Sequence, residues 1–280
     1  MKKLLFLLLL GTFLYAKDTL LIAEGLNKLK KYSDIKRNFN ALQGLNVQLL
    51  GFKEGKYNWY MFLVTNPKRP NGPFWFLPHD NENSAFDSAV YATKKYGGGF
   101  LALFNQNKRY NKDQDPNRNF SLSLSKEPSC KYQKAPSPIY TSTIMRVINR
   151  HKSYNMPYLA LHNNTNRGGI SILKNSPSTI SYLAYPKGKI LASKGGIADE
   201  DSLVYIAGTS PTASASKVKK LLKMGLNTKY EIVNRYNNDC SMSNFIVLNY
   251  GDNYYNIEAQ HGKSNTQKQM IDRLMKILGF

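Results

Sequence analysis

The sequence predicts an α/β domain built on a mixed, mostly parallel sheet flanked by helices on both faces. Two observations carry this. Short, nearly continuous apolar runs such as "FWFL", "FLALF" and "YLAL" have the character of strands buried on both faces. They alternate with amphipathic stretches at helical spacing, which is the order of a crossover-connected sheet. No internal repeat and no linker long enough to divide the 280 residues is visible, so one main domain is expected.

The elements follow in order. Residues 1–16 combine a basic start (Met1-Lys2-Lys3), the apolar run "LLFLLLLGTFLYA" and the small Ala16, the layout of a secretory signal peptide. Leu14 is large for its place before the cut, so an uncleaved anchor stays open as the alternative. Residues 17–44 form an N-terminal extension, with leucines and isoleucines at helical spacing from Asp18 to about Lys36. Residues 45–280 make up the main domain. "NVQLLGFK" and "NWYMFLVTN" are expected as strands, "PKRPNGP" as a turn and "FWFL" as a buried strand. Ser84 to Tyr96 reads as a helix stopped at Gly97-Gly98-Gly99, before the strand "FLALF". "TSTIMRVINRH" then reads as a helix, "YLAL" and "LVYIAG" as strands, "SASKVKKLLKMG" as a helix and "KYEIV" as a strand. "FIVLNY" and "YYNIEA" read as strands, and Asn265 to Leu278 as the closing amphipathic helix.

Composition bounds the function. Apolar residues at 42% and aromatic residues at 12% fit a folded soluble protein. The signal segment adds the expectation that the mature protein is exported, periplasmic or extracellular. The formal charge of +21 is spread along the chain. For an exported protein it points away from nucleic acid and toward an anionic cell-wall or membrane surface, with solubility alone as the plainer reading. Cys130 and Cys240 are an even pair, read as one disulfide in an oxidising compartment or otherwise as two buried thiols.

In sheets of this type, function gathers in loops beyond the carboxyl ends of the strands. Four polar clusters occupy such places: "PHDNE", "NQNKRYNKDQDPNRNF", "HNNTNRGG" and "EAQHG". Two histidines and a glutamate are a donor set for catalytic zinc, which leaves one position open for water. His79 and Glu82 offer two donors from one loop and His162 a third from another strand end. His-x-x-Glu alone is a weak signal, since the spacing arises by chance in many chains and then belongs to a solvated loop. Asp115 could take the free ring N–H of a ligating histidine. The planar forks of Arg109 and Arg118, with Asn117 beside them, suit a carboxylate or a developing oxyanion. His151 closes a helix, where the dipole favours it. His261 is placed either to orient a base or simply in a turn.

Taken together and in order, His79-x-x-Glu82, Arg109, "DPNRNF", "LHNNTN" and "IEAQHG" resemble the zinc carboxypeptidase superfamily, closest to the succinylglutamate desuccinylase and aspartoacylase branch. The resemblance runs from about Phe74 to the C-terminus. It implies a zinc carboxypeptidase-like fold and one Zn2+ held by His79, Glu82 and His162. It also implies Glu258 as general base, Arg109 polarising the scissile carbonyl, and Asn117 with Arg118 gripping a substrate carboxylate. The expected activity is an exported metallocarboxypeptidase or amidase acting on a peptide or glycopeptide with a free carboxylate, such as a peptidoglycan stem peptide. An N-acyl amino acid deacylase and a non-catalytic cell-wall binder are the alternatives. Three departures stand out. Asp80 replaces a glycine common in the superfamily, Ala160 replaces an aspartate common in the branch, and the branch's C-terminal β domain has no counterpart. The substrate-capping tyrosine falls among Tyr250, Tyr254 and Tyr255.

Overall fold

The computed structural model describes residues 20–190 and 195–280; the signal segment read over residues 1–16 lies outside the described residues. Ten strands join in one sheet: β1 (Leu20–Glu24), β2 (Asn46–Glu54), β3 (Tyr57–Thr65), β4 (Phe74–Leu77), β5 (Gly99–Phe104), β6 (Tyr158–Asn164), β7 (Thr179–Tyr182), β8 (Leu203–Gly208), β9 (Thr228–Ile232) and β10 (Tyr254–Gln260). Their spatial order is β1-β2-β3-β5-β4-β6-β10-β8-β9-β7. The sheet is mixed, as expected, but its parallel part is narrower than the sequence suggested. The four central neighbours β5, β4, β6 and β10 are parallel, as are β8 and β9. The remaining pairings are antiparallel.

Helices cover both faces. On one face α1 (Leu26–Leu29), α3 (Asn83–Tyr96), α5 (Ala215–Lys223) and α7 (Ser264–Leu278) bury Leu29, Ala89, Leu221 and Leu274 against Phe100, Leu161 and Ile257. On the other, α4 (Pro138–His151) and α6 (Met242–Tyr250) bury Ile144, Ile148, Phe245 and Ile246 against Phe76, Leu101 and Tyr158. Among the described residues, no helix is long and apolar enough to cross a membrane.

Two of the expected elements take another form. The single helix expected over Asp18 to about Lys36 is instead edge strand β1, paired antiparallel with β2, followed by the short helices α1 and α2 (Ser33–Arg37). Gly25, at φ +94°, separates the strand from the first helix; a backbone conformation this unfavourable for other residues interrupts any continuous helix. The strand expected at "FIVLNY" is the body of α6. A run of six residues with only Asn249 polar has no period that distinguishes the two states. The flanks decide it: Ser241 accepts from the Asn244 N–H (3.3 Å), Asn117 Oδ1 accepts from the Met242 N–H (3.1 Å), and Gly251 at φ +81° ends the helix. The glycine stop after α3 is also a close approach. A Cβ on Gly98 would lie 2.1 Å from the Pro73 carbonyl oxygen, so only glycine lets the chain turn beside the start of β4.

Cys130 and Cys240 form a disulfide, both residues fully buried with Cα atoms 5.3 Å apart. It ties the loop after Phe120 to the start of α6, where the Phe120 N–H donates to the Cys240 carbonyl (2.9 Å). In the loop-entropy model, a closure spanning 110 residues stabilises the fold by about 4–5 kcal/mol. Replacing both cysteines with serine should therefore lower the denaturant midpoint clearly. Coincident unfolding curves for the two proteins would refute this.

Candidate metal centre

The parallel strands β4, β6 and β10 point their carboxyl ends to the same edge of the sheet, so residues far apart in sequence meet there. His79 follows β4 after Pro78. Glu82 follows three residues later, where the loop turns into α3, and its N–H donates to the His79 carbonyl (3.3 Å). His162 lies in β6, and Glu258 is its register partner on β10, so both side chains stand on the same face of adjacent strands.

His79, Glu82 and His162 are buried, and one donor atom from each lies within 4.8 Å of the others. His79 Nδ1 is 2.7 Å from Glu82 Oε1, and His162 Nδ1 is 3.2 Å from Glu82 Oε2. The other nitrogen of His79, Nε2, is 2.8 Å from Asp115 Oδ1. Asp115 thus fixes the ring's orientation and leaves Nδ1 facing the centre, the arrangement that a ligating histidine needs. Burial opposes charge on Glu82, but His79 and His162 outweigh it and hold the carboxylate well below the usual range. Asp115 is likewise held low, against its burial, by its hydrogen bond to His79 and by Arg109. Burial disfavours a charged His79, yet Glu82 and Asp115 raise its pKa overall.

Arg109 sits across both carboxylates. Its Nη1 donates to Glu82 Oε1 (3.2 Å), while Nε and Nη2 donate to Asp115 Oδ2 (3.3 and 3.2 Å). A guanidinium carries five N–H donors, so these contacts leave two unspent. Glu258 is 3% exposed and accepts from Asn256 Nδ2 (2.9 Å). Burial raises its pKa, Glu82 adds to the rise and His162 opposes it.

The "DPNRNF" segment begins as a short 3-10 turn, Pro116–Arg118, capped by Asp115 accepting from the Asn117 N–H (2.8 Å). Asn117 also spends its side-chain oxygen on α6, which leaves its NH2 group as the donor available to a ligand. Arg118 is not free: its Nε pairs with Asp239 Oδ2 at 3.1 Å, both side chains being partly exposed. Burial works against its charge, and Asp239 and Asp115 more than compensate. Asp239 was absent from the sequence reading, since nothing local links it to Arg118.

His261 lies in the turn after β10 and is exposed; its N–H donates to the Asn164 carbonyl (2.9 Å). His151 ends α4 and stacks on Phe74, with ring centroids 5.4 Å apart. Of the tyrosines considered as a cap, Tyr254 and Tyr255 are buried in β10 and Tyr250 is exposed at the end of α6.

Asp80 now has a structural role. Its Oδ2 accepts from the backbone N–H groups of Asn105 and Asn107 (2.7 and 2.5 Å), tying the loop of His79 and Glu82 to the loop that carries Arg109. Gln106 and Asn107 adopt positive φ there. Burial, then the neighbouring Asp34 carboxyl, pushes Asp80 up to about 7. Asp34 is held from the other side by Arg37 (2.6 Å), so the N-terminal extension reaches the loop of His79 and Glu82 through these carboxyls. An aspartate in the unfolded chain titrates near ~3.9. Asp80 therefore favours the fold below that pH, and its contribution is lost as pH rises toward 7. Asp80→Asn keeps an acceptor for the two N–H groups without ionising. Its stability relative to the parent should improve between pH 5 and pH 8, read as thermal midpoints. A difference that does not change with pH would contradict this.

No family model and no curated protein matches the chain. Solved structures do. The chain is similar to a "putative metallopeptidase" from Shewanella amazonensis SB2B, at 13% identity and a TM-score of 0.44 over 90% of this chain and 92% of that one. A "putative metallopeptidase" from Shewanella denitrificans OS217 gives 12% identity and a TM-score of 0.43, covering 88% and 86%. A "putative carboxypeptidase A" from Shewanella denitrificans OS-217 gives 8% and 0.41, covering 87% of this chain and 67% of that one. Likeness at this level does not extend to activity, and the chemistry rests on the side chains at the centre itself.

Proposed function

We propose that the protein is an exported, zinc-dependent amide hydrolase of the carboxypeptidase or amidase type, cutting an amide beside a free carboxylate. The observation that carries this reading is the meeting of His79, Glu82 and His162 donor atoms within 4.8 Å, with Asp115 on the opposite nitrogen of His79. Two imidazoles and one carboxylate suit zinc and leave a coordination position open. When bound, the ion supplies Lewis acidity and brings the pKa of a water molecule toward neutrality.

The chain's own residues supply the rest. Glu258, buried beside His162 but outside the ligand set, takes the water's proton and passes it to the leaving amine. Arg109 uses its unspent N–H groups to hold the carbonyl oxygen as negative charge develops there. The Asn117 NH2 group and Arg118 orient the substrate through a carboxylate that does not react. Export is supported by the N-terminal sequence and by the disulfide, which persists in oxidising compartments. Together with the +21 charge, export favours cell-wall stem peptides as substrates, at an anionic surface.

The test is direct. Purified protein carrying one equivalent of zinc is incubated with defined muropeptides, short peptides and N-acyl amino acids, and products are identified by mass spectrometry. Release of a C-terminal residue from a muropeptide is the expected result. Cleavage of N-acyl amino acids alone would replace the substrate, and absence of any cleavage by the zinc-loaded protein would refute the enzyme.

A further inference from the structure

Arg118 was expected to wait for a substrate carboxylate, yet Asp239 already sits 3.1 Å from it. Asp239 is held in turn: its Oδ1 accepts from the Ser241 N–H and from Asn244 Nδ2, both at 2.9 Å. A second carboxyl faces the same place. Asn256 pairs with Tyr205 between β10 and β8, and Ala207 pairs with Glu231 between β8 and β9. Alternate strand residues share a face, so Glu258, Asn256, Tyr205 and Glu231 lie on one side of the sheet, leading outward from the metal centre. Arg118, Glu231, Asp239 and Tyr205 are all partly exposed, so this face is open to a ligand.

A further observation points to what enters. Asn256 is 6% exposed, spends its NH2 group on Glu258, and leaves its carbonyl oxygen without a hydrogen-bond partner among the described residues. Asn256 and Tyr205 are register neighbours on this face, so the unpaired oxygen belongs to the same surface as Tyr205 and Glu231. A buried acceptor of this kind lacks a donor. The compartment thus holds one guanidinium, two carboxyls and an unanswered acceptor. A simple carboxylate would bring a third acid to an arginine already neutralised.

The geometry points to a compartment for a leaving residue that carries an ammonium group as well as its free carboxylate. The carboxylate shares Arg118 with Asp239, and the ammonium meets Glu231, Asp239 and the Asn256 oxygen. Burial and Asp239 push Glu231 up to about 8, so without a ligand it holds its proton near neutrality, and an arriving ammonium lets it ionise and pair. This inference rests on the proposed hydrolase reading, because it names the residue that the hydrolase releases.

The experiment uses the zinc-loaded full chain and two readouts. N-acetyl-alanyl-lysine and N-acetyl-alanyl-norleucine differ by the ammonium, and their kcat and KM are compared. Binding of free L-lysine and L-norleucine is measured by calorimetry. The lysine form should be favoured about tenfold or more, mainly through KM, as for a hydrogen bond to a charged group. Glu231→Gln should remove that preference, bringing the lysine and norleucine forms to within about twofold of each other. Asp239→Asn should also remove it and, by freeing Arg118, lower KM for the norleucine substrate. Equal handling of the two ligands by the parent, or a preference that survives both substitutions, overturns the compartment. Lysine-selective binding without any amide cleavage would overturn the hydrolase and leave the compartment standing.

Discussion

Glu258→Gln is expected to lower amide hydrolysis by about 10²–10⁴-fold, the range for loss of a general base, while zinc stays at one equivalent. The separation of the two readouts follows from position. Glu258 lies opposite His162 on the neighbouring strand, outside the three donors that converge. Glutamine fills the same volume and still accepts from Asn256, so packing at this buried site is preserved. What it cannot do is accept a proton. The loss should fall on kcat, with KM little changed, because the proton moves in the transition state and contributes nothing to holding the substrate. Retained activity, or zinc lost together with activity, would refute the assignment.

The centre was legible in the sequence to the extent that its residues sit where the chain leaves a buried strand. "FLPHDNE", "LHNN" and "IEAQHG" each follow or end a run of apolar residues, and strands buried on both faces announce themselves locally. Asp115 was legible as a partner that a histidine ring needs, although the same side chain also serves its own turn by accepting from the Asn117 N–H. Asp239 and the Asp34 side of Asp80 were not legible. Their partners are set by which loops the sheet brings together, and no spacing along the chain encodes that. Asn117 shows the same limit, since its side-chain oxygen serves the N-terminus of α6.

The fold divided along similar lines. The helices α3 and α7 and the central strands were found because period and apolar character agree there. β1 was misread as helix because leucines and isoleucines in a short exposed segment suit either state, and pairing with β2 decides the outcome. β7 was missed for lack of a buried face; all four of its residues are only partly covered. The parallel share of the sheet was overestimated because β2–β3, β3–β5 and β10–β8 pair antiparallel, and apolar character within a strand does not encode the direction of its neighbour.

Glu82→Gln should cost the metal-free protein about 3–5 kcal/mol, the range for breaking a buried ion pair, and should abolish the stabilisation by zinc. In the parent, Oε1 meets His79 and Arg109, and Oε2 meets His162 and the Asn163 N–H. One carboxylate thus answers two imidazoles, a guanidinium and a backbone donor. Glutamine keeps the shape but turns one acceptor into a donor aimed at donors, and it leaves the surrounding positive charge uncompensated. The pH dependence has a definite sign. Glu82 titrates well below its ordinary range, so its contribution is present above the unfolded glutamate pKa and is lost as pH falls through the folded one. The gap between parent and variant should therefore narrow in acid. Thermal midpoints with and without zinc, at neutral pH and in acid, measure all of this. Equal metal-free midpoints with equal zinc shifts would mean that "PHDNE" is a solvated loop, since such a loop loses nothing when a surface glutamate becomes glutamine. Glu82 is 3% exposed and all its acceptor sites are engaged, which is why a silent substitution would contradict the site itself and not only its metal.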